Sequence, residues 1–438
     1  MHRSGALCAS ILATMSVAWA ENWPQFRGSD HNYLHVSNDL PLEWSKDKNI
    51  RWIVPIPGEG WASPVVWGDK VFIATAVQEV EGKDTAPPPN YRSGRVGADS
   101  VYRWEVHCLD LNTGETLWRR VARRGNPGVR THPANTYASE TPVTDGERLY
   151  VYFGMVGLFC YDFDGNLVWT KDIGGYRMAG DWGTGSSPIL YDGSLYLQVD
   201  NEEDSFLVAL DPETGDERWR VARDEVSSWS TPMIWRNKVR TELVTCGKFV
   251  RSYDPASGEL LWMMDMQGGR ASASPVGNSD TLFLGNERRR DGGGALFAIN
   301  AGASGDISTV REGARSDSIR WIRPEGGPEF ASPLLYDGNL YVFGRNRGSV
   351  GCFDPDTGER IQGLERLPRA RSFWSSPWGH DGKVFCVDEA GTTFVISAGP
   401  EVEFLGRNAL DEEVRASPAL VDGAIILRAK NHVYCIAE

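Results

Sequence analysis

Apolar and polar residues along the chain alternate in a pattern that recurs eight times, mostly every ~43 residues. Each repeat opens with a Ser-Pro or Thr-Pro pair, followed by a short apolar stretch, a polar turn and a second apolar stretch. The first repeat shows this in residues 64–67, the Gly68-Asp69 turn and residues 71–76. This is the alternation of a β-hairpin. The eight anchor residues, each followed by proline, are Ser63, Thr141, Ser187, Thr231, Ser274, Ser332, Ser376 and Ser417.

The second half of a repeat predicts two further strands. A third apolar stretch ends in Asp, a Thr-Gly or Ser-Gly turn follows, and a fourth stretch carries Trp, as in residues 109–118, 210–219 and 253–262. The Asp side chain can accept hydrogen bonds from the turn backbone, and Gly supplies positive φ. Four short antiparallel strands per repeat, with no helical period, predict one blade of a β-propeller.

The two ends of the chain distinguish a closed ring from an open stack of repeats. The last repeat supplies only three strands, at 418–420, 424–427 and 433–437, and its missing Trp strand stands before the first anchor at 49–54. Pairing these segments would remove the open sheet edges. We therefore predict an all-β chain with one eight-bladed β-propeller of four-stranded antiparallel blades at 49–438, closed by the N-terminal strand joining the last blade. A lead-in segment at 21–48 and insertions at 77–103 and 286–318 complete the predicted organisation.

Residues 1–20 are typical of a signal peptide. They combine a basic start, an apolar stretch over 6–17 and Ala18-Trp19-Ala20 before Glu21. We expect an exported protein, periplasmic or extracellular, without a membrane-spanning segment. The chain has 59 acidic and 45 basic residues and a formal net charge of −14, which argues against nucleic acid as the main partner. We expect a monomer.

The cysteines indicate buried thiols. Four of them occupy the same place in different repeats, where alanine stands in two others: Cys108, Cys160, Cys352 and Cys435, with Ala209 and Ala298. Equivalent positions of adjacent blades lie ~10 Å apart, beyond the reach of a disulfide. We expect free thiols, and the cysteine spacing supports neither a zinc site nor haem attachment.

The recurring Asp, Thr-Gly and Trp residues resemble the tryptophan-docking repeats of the PQQ-binding-like propeller superfamily. The resemblance implies that the outer-strand tryptophan packs between neighbouring blades. This structural role falls to Trp52, Trp118, Trp169, Trp219, Trp262 and Trp321. Blades six and seven place Ile361 and Phe404 there, which predicts weaker seams. The opening Trp23-Pro24-Gln25-Phe26-Arg27-Gly28 is similar to the start of many exported bacterial proteins of this group.

Three functions are open at this point. The resemblance implies, as one alternative, a quinoprotein dehydrogenase with PQQ and Ca²⁺, whose oxygen ligands would come from Asn135, Glu140, Asp181 or Glu329. The adjacent Cys pair typical of its alcohol-dehydrogenase branch is absent. A polysaccharide hydrolase or lyase would need paired carboxylates or a metal cluster, and neither stands out. We favour a non-enzymatic binding or scaffold module, without cofactor or metal, that holds a protein, peptide or glycan on one ring face.

The third residue before each anchor proline opens the innermost strand and is expected at the mouth of the central channel. These residues are Trp61, Ser139, Gly185, Trp229, Ser272, Phe330, Trp374 and Arg415. Their mixture of large aromatic, small and charged side chains indicates a ligand site. The candidate binding residues are Trp61, Trp229, Phe330, Trp374 and Arg415, with Arg371 in the loop before blade seven. Rings that merely plug the channel are the alternative, which predicts buried indole faces.

Overall fold

The computed structural model describes residues 22–32, 40–79, 100–266, 269–287, 294–308, 316–345, 348–361, 363, 365–399 and 401–438. The signal peptide predicted over 1–20 lies outside these residues. Within them the regular structure is β-sheet, apart from the 3-10 turn Ala179–Asp181. No helix of the described part is long and apolar enough to cross a membrane.

The strands form eight separate antiparallel sheets, which are the blades of one propeller. Blades one and two contain β2 (Val65–Trp67), β3 (Lys70–Gln78), β4 (Tyr102–Asp110), β5 (Thr116–Gly125), β6 (Val143–Thr144), β7 (Arg148–Phe153), β8 (Gly157–Asp162) and β9 (Leu167–Lys171). Blades three and four contain β10 (Ile189–Tyr191), β11 (Ser194–Val199), β12 (Phe206–Leu210), β13 (Glu217–Ala222), β14 (Met233–Arg236), β15 (Thr241–Cys246), β16 (Phe249–Tyr253) and β17 (Leu260–Asp265). In each blade the innermost strand follows the anchor proline, as the sequence predicts.

The second half of the ring follows the same plan. Blade five contains β18 (Val276–Gly277), β19 (Thr281–Gly285), β20 (Leu296–Asn300) and β22 (Ile319–Arg323), and blade six contains β23 (Leu334–Tyr336), β24 (Asn339–Phe343) and β25 (Val350–Phe353). Blade seven contains β26 (Trp378–His380), β27 (Lys383–Val387), β28 (Thr392–Ser397) and β29 (Phe404–Ala409), and blade eight contains β30 (Ala419–Val421), β31 (Ala424–Arg428) and β32 (His432–Ala437). The fourth strand of blade eight is β1 (Ile50–Pro55), which pairs with β32 through Trp52–Cys435 and Pro55–His432. The predicted ring closure is confirmed.

Two blades depart from the four-stranded plan. In blade six the described part of the outer edge consists of isolated bridges, between Phe353 and Arg360 and between Ser349 and Arg366. Blade four gains a fifth strand, β21 (Gly305–Asp306), which runs parallel to β17. Among its described residues, the insertion predicted over 286–318 contains both β20 and β21.

The anchor hydroxyls explain why Ser or Thr precedes each proline. The backbone N–H of one anchor donates to the hydroxyl of the anchor in the next blade, for example from Ser187 to Thr231 Oγ1 at 3.0 Å. Seven such bonds of 2.9–3.1 Å follow one another from Ser63 to Ser417. We call this series the hydroxyl belt. The proline that follows has no N–H to leave unpaired, so the anchor N–H is the only backbone donor of the motif, and in seven blades it is satisfied at the seam.

Five outer-strand tryptophans lie against the turn of the next blade. The indole N–H groups of Trp52, Trp118, Trp169, Trp219 and Trp321 donate to the carbonyls of Leu111, Phe163, Pro212, Pro255 and Pro355, at 2.8–3.1 Å. Each ring rests on the glycine of that turn. At Gly165, which has φ of 79°, an added Cβ would lie 2.7 Å from the Trp118 ring. The turn glycine is therefore required both by its backbone angle and by the docked ring.

Trp262 is held differently. It is fully buried, but its indole N–H donates to the Glu242 carboxylate of its own blade at 2.6 Å. The same carboxylate accepts the Ser252 hydroxyl and pairs with Arg240 at 3.1 Å. Trp262 thus packs within the core of blades four and five without bonding the next turn.

The docking positions assigned to blades six and seven were wrong. In blade six the count was one residue short, and in blade seven the outer strand has a β-bulge opposite Val395 and Ile396. In blades one to four the tryptophan stands four residues after the glycine of the turn in its own blade. Ile361 stands only three residues after Gly358, so it is not the equivalent residue. The equivalent residue is 362, which lies outside the described part. In blade seven Gly406 pairs with Val395 as Trp321 pairs with Ala298, whereas Phe404 corresponds to Ile319.

A tryptophan from the lead-in segment contributes to blade seven. In four other blades the docking ring lies against an aromatic residue of the second strand, as Trp118 lies 6.0 Å from Phe72. In blade seven that aromatic is Phe385, and buried Trp44 lies 6.3 Å from it. The Trp44 backbone N–H also donates to Asn408 in the outer strand at 3.2 Å. The lead-in segment is therefore part of the propeller core.

The small residues of the third strands lie opposite the docking rings. Cys108, Cys160 and Cys435 pair with Trp118, Trp169 and Trp52, and Ala209 and Ala298 pair with Trp219 and Trp321. The six cysteines of the described part are buried and free, which confirms the expected thiols. Burial raises the pKa of the Cys108 thiol to about 12, so this thiol stays protonated at neutral pH.

Residues 22–32 close one end of the channel. Trp23 forms a bridge with Val66 of blade one, and Arg27 donates to the carbonyls of Pro275 and Pro333 in blades five and six, at 2.7 and 3.0 Å. Asn32 bonds the backbone of Leu335 in both directions. The residues that this segment bonds are anchor prolines or lie just after them on the inner strands. Residues 22–32, which we call the plug, therefore occupy the end of the channel opposite the residues that precede the anchors.

Candidate functional site

A cavity of about 430 Å³ lies at the other end of the channel, where the inner strands begin. All eight residues that stand three before an anchor proline line it, as the sequence predicts. Trp61, Trp229, Phe330 and Trp374 are partly exposed there. The partial exposure does not fit rings that simply fill the channel.

Four of the candidate residues form part of one continuous stack along blades six, seven, eight and one. Phe330 stacks on Trp374 with ring centres 4.1 Å apart and an interplanar angle of 11°. The Arg415 guanidinium carbon lies 4.5 Å from the Trp374 ring centre and 5.4 Å from that of Trp61. At the far end the Arg345 guanidinium lies 5.2 Å from the Phe330 ring centre. We call this series of five side chains the ladder.

An ion pair and hydrogen bonds hold two members of the ladder, Arg415 and Trp374, in place. Arg415 pairs with Glu413 at 2.8 Å and donates to the carbonyl of Ala134, and only 7 % of its side chain is exposed. The Trp374 indole N–H donates to Glu389 at 3.1 Å. Each cation–π contact adds about 0.5–2 kcal/mol. Because Phe330 and Arg415 both lie over the Trp374 ring, that ring supports the wall of the cavity and is not an open stacking face.

Trp229 offers a different surface on blade four. Its indole N–H donates to the carbonyl of Gly183 at 2.7 Å, which fixes the ring plane. In the described part of the chain no aromatic ring or cation lies over this indole. On either side of it stand the small mouth residues Gly185 and Ser272. Trp229 is therefore the aromatic face most available to a ligand.

Side chains from the connecting loops complete the cavity. Trp182 lies 6.5 Å from Trp374 across the channel and stacks on His132 at 3.9 Å. Asn135 donates to the carbonyls of Trp182 and Thr184, at 2.8 and 2.9 Å, and its own oxygen accepts the Ser139 hydroxyl. This amide holds the loop of Trp182 in place, because all of its polar atoms are engaged.

Two arginines that the sequence prediction missed, Arg270 and Arg345, also line the cavity. Arg270 pairs with Glu202 at 2.7 Å, and Arg345 pairs with Glu287 at 3.3 Å. Burial disfavours the charged form of Glu202, but hydrogen bonds from Arg270 and Ser227 outweigh it and lower its pKa to about 2. Glu202 is thus ionised at neutral pH and keeps Arg270 in position.

Arg371 does not join the site. Its side chain is exposed and does not line the cavity, while its backbone N–H donates to Asp388 at 2.8 Å. The missed residues carried a usable signal. Trp182 and Arg270 stand just before mouth residues. Arg345 follows β24 at the position that Glu287 occupies after β19, and both residues line the cavity.

The residues proposed as calcium ligands do not converge. Of Asn135, Glu140, Asp181 and Glu329, only Asn135 lines the cavity. Glu140 is fully buried, and burial raises its pKa, while Glu329 accepts the backbone N–H of Arg345. No group of three or more His, Cys, Asp or Glu side chains in the described part is arranged to hold a metal ion. Three arginines and one glutamate line the cavity, a set that does not fit Ca²⁺.

Comparisons with known proteins agree with the architecture. A family model described as "Outer membrane protein assembly factor BamB" matches residues 103–364. Among solved structures, the chain is similar to BamB from Moraxella catarrhalis, with 11 % identity, a TM-score of 0.57, and coverage of 89 % of this chain and 99 % of that one. It is also similar to quinohemoprotein alcohol dehydrogenase from Comamonas testosteroni, with 13 % identity, a TM-score of 0.63, and coverage of 97 % and 81 %. At these identities the likeness shows a common fold alone. No curated protein sequence matches the chain.

Proposed function

Because the chain belongs to the PQQ-binding-like β-propeller family, whose model is described as an outer membrane protein assembly factor, we propose that it is a non-enzymatic binding module. Its ligand is a protein, peptide or glycan that enters the channel-mouth cavity. One observation carries the proposal: the eight mouth residues line a single cavity in which aromatic and guanidinium groups are partly exposed. Concave sites with a few fixed polar groups are the usual form of ligand pockets.

The plug supports a one-ended site. Arg27 and Asn32 fasten residues 22–32 to blades five and six at the opposite end of the channel. A ligand therefore approaches from the face that carries Trp61 and Trp229. This is the ring face on which we place the partner.

The proposal excludes PQQ and Ca²⁺ as resident groups. The fold is similar to that of quinohemoprotein dehydrogenases, but the cavity wall offers guanidinium groups where a calcium site needs carboxylate and amide oxygens. The chain also lacks an adjacent Cys pair. We propose that the module works in an exported location, supported by the signal-peptide pattern over 1–20 and by the description of the family.

A binding panel tests the proposal. The purified chain without residues 1–20 is probed against arrays of soluble glycans and short peptides, beside the Trp229→Ala variant and the Val239→Ala control. Val239 is exposed in the turn that joins β14 to β15. We expect at least one bound probe whose signal is lost in Trp229→Ala and kept in Val239→Ala. Stoichiometric quinone by absorbance and Ca²⁺ by elemental analysis, with dye reduction on an alcohol, would contradict the proposal.

A further inference from the structure

Resting on the proposed function, we infer that the ligand of the channel-mouth cavity is an acidic carbohydrate, a pyranose sugar that carries a carboxylate or sulfate group. The groups that the wall presents to a ligand support this inference first. Three arginines line the cavity, Arg270, Arg345 and Arg415. Each also pairs with one carboxylate, Glu202, Glu287 or Glu413, so the mouth is not a patch of net positive charge. Of these carboxylates only Glu287 lines the cavity, and the charged surface that a ligand meets is therefore mainly guanidinium.

Two of these arginines have donors left for a ligand. A guanidinium carries five N–H groups in a planar fork. Within the described residues, Arg345 has one ion pair, through Nη1 to Glu287, and 49 % of its side chain is exposed. Among the residues that the structure describes, the Arg270 side chain is bonded through Nη1 alone, to Glu202 and to the carbonyl of Ser227. The remaining N–H groups match the paired oxygens of a carboxylate or sulfate.

The indole of Trp229 supplies the complementary apolar surface. Its plane is fixed by the bond to Gly183, and Ser272 separates it from Phe330 in the order of the blades. The backbone N–H of Trp229 donates to Ala271, the neighbour of Arg270, at 2.9 Å. A flat ring beside a cation suits a pyranose, whose C–H face makes dispersion contacts with indole while its acidic group meets the guanidinium.

The rim does not favour a peptide. Backbone groups at the mouth are already paired between blades, as Trp61 N–H donates to Ala138 at 3.0 Å and Trp229 N–H donates to Ala271. A bound strand would find no free edge to extend at these positions. The cavity volume of about 430 Å³ also lies in the range of small-ligand sites, roughly 300–1,000 Å³. A sugar unit recognised by side chains fits this arrangement better than a segment of protein.

Calorimetric titration tests the inference with four probes on the chain without residues 1–20. The probes are the trisaccharide of galacturonic acid, a sulfated galactose trisaccharide, the neutral galactose trisaccharide and an acidic hexapeptide. The variants are Arg345→Gln, Arg345→Lys and Trp229→Ala. Arg51→Gln removes the same charge from an exposed position of β1 and serves as the control.

We expect one of the two acidic sugars to bind, and the one that binds identifies the anionic group. Arg345→Gln and Trp229→Ala should each weaken it about tenfold, the first through the loss of one charge-assisted contact and the second through the loss of the apolar surface that the indole buries. Arg345→Lys should fall in between, and Arg51→Gln should match the parent chain. Equal affinity for the neutral trisaccharide, or no binding of either acidic sugar, overturns the inference. Binding of the hexapeptide alone overturns it but leaves the proposed function standing, whereas bound quinone overturns both.

Discussion

The hydroxyl belt makes a sharp prediction at Thr231. Its Oγ1 accepts the backbone N–H of Ser187 at 3.0 Å, and the residue is 3 % exposed. Thr231→Val keeps the shape of the side chain but leaves that N–H buried without an acceptor, which costs about 1–3 kcal/mol. Thr231→Ser keeps the acceptor and loses one methyl group, about 0.8 kcal/mol. Serine already occupies the same position in six other blades.

Urea unfolding followed by tryptophan fluorescence measures the effect. If the slope is about 3 kcal/mol/M, as for a protein at or above the upper end of the small-domain range, Thr231→Val lowers the midpoint by about 0.3–1 M. Thr116→Val makes the same chemical change at an exposed position of β5 and should leave the midpoint within error. Equal shifts for Thr231→Val and Thr231→Ser, or for Thr231→Val and Thr116→Val, would refute the role given to the belt.

Three further predictions concern the seams and a buried carboxylate. Gly165→Ala should lower the urea midpoint more than Gly193→Ala, because both have positive φ but only at Gly165 does the added Cβ meet a docked indole; equal losses would remove the docking argument. Trp44→Ala should cost about 3–5 kcal/mol and increase hydrogen exchange in β29, whereas unchanged exchange there would show that the lead-in segment is not part of the core. Hydrogen bonds from His107, Arg119 and Arg103 outweigh the burial of Glu105 and lower its pKa to about 2. The stability lost in Glu105→Gln should therefore be largest above pH 4.5 and shrink as the pH falls toward 2, and a difference that is constant with pH in urea titrations would contradict this.

The repeat predicts everything that depends on local spacing. The anchors, the hairpin turns, the split blade and the eight mouth residues all follow from positions counted within one unit. Ile361 was misassigned by a count one residue short of the glycine-to-tryptophan spacing of the other blades. Phe404 was misassigned because a β-bulge shifts the register of β29, and the pattern of apolar residues does not show where the extra residue lies.

The placements that the sequence does not predict depend on contacts between residues far apart in the chain. Trp44 reaches blade seven from a segment that precedes blade one. Glu242 holds Trp262 within its own blade, although the local sequence is that of a docking tryptophan. Each of these placements depends on the partner that the folded ring brings near. None is encoded in the repeat period.

The pairing of β1 with β32 sets the timing of folding as well as its end point. Ile50 lies opposite Ile436, so this contact spans nearly the whole chain and closes only after the last strand has been synthesised. Contacts of such long separation slow folding, because the entropy of joining the ends is lost before the contact stabilises anything. In the reverse direction, we expect separation of this blade to expose the neighbouring seams. Survival of the protein during prolonged exposure to proteases should then follow the rate at which this sheet opens more closely than the equilibrium stability of the remaining seven.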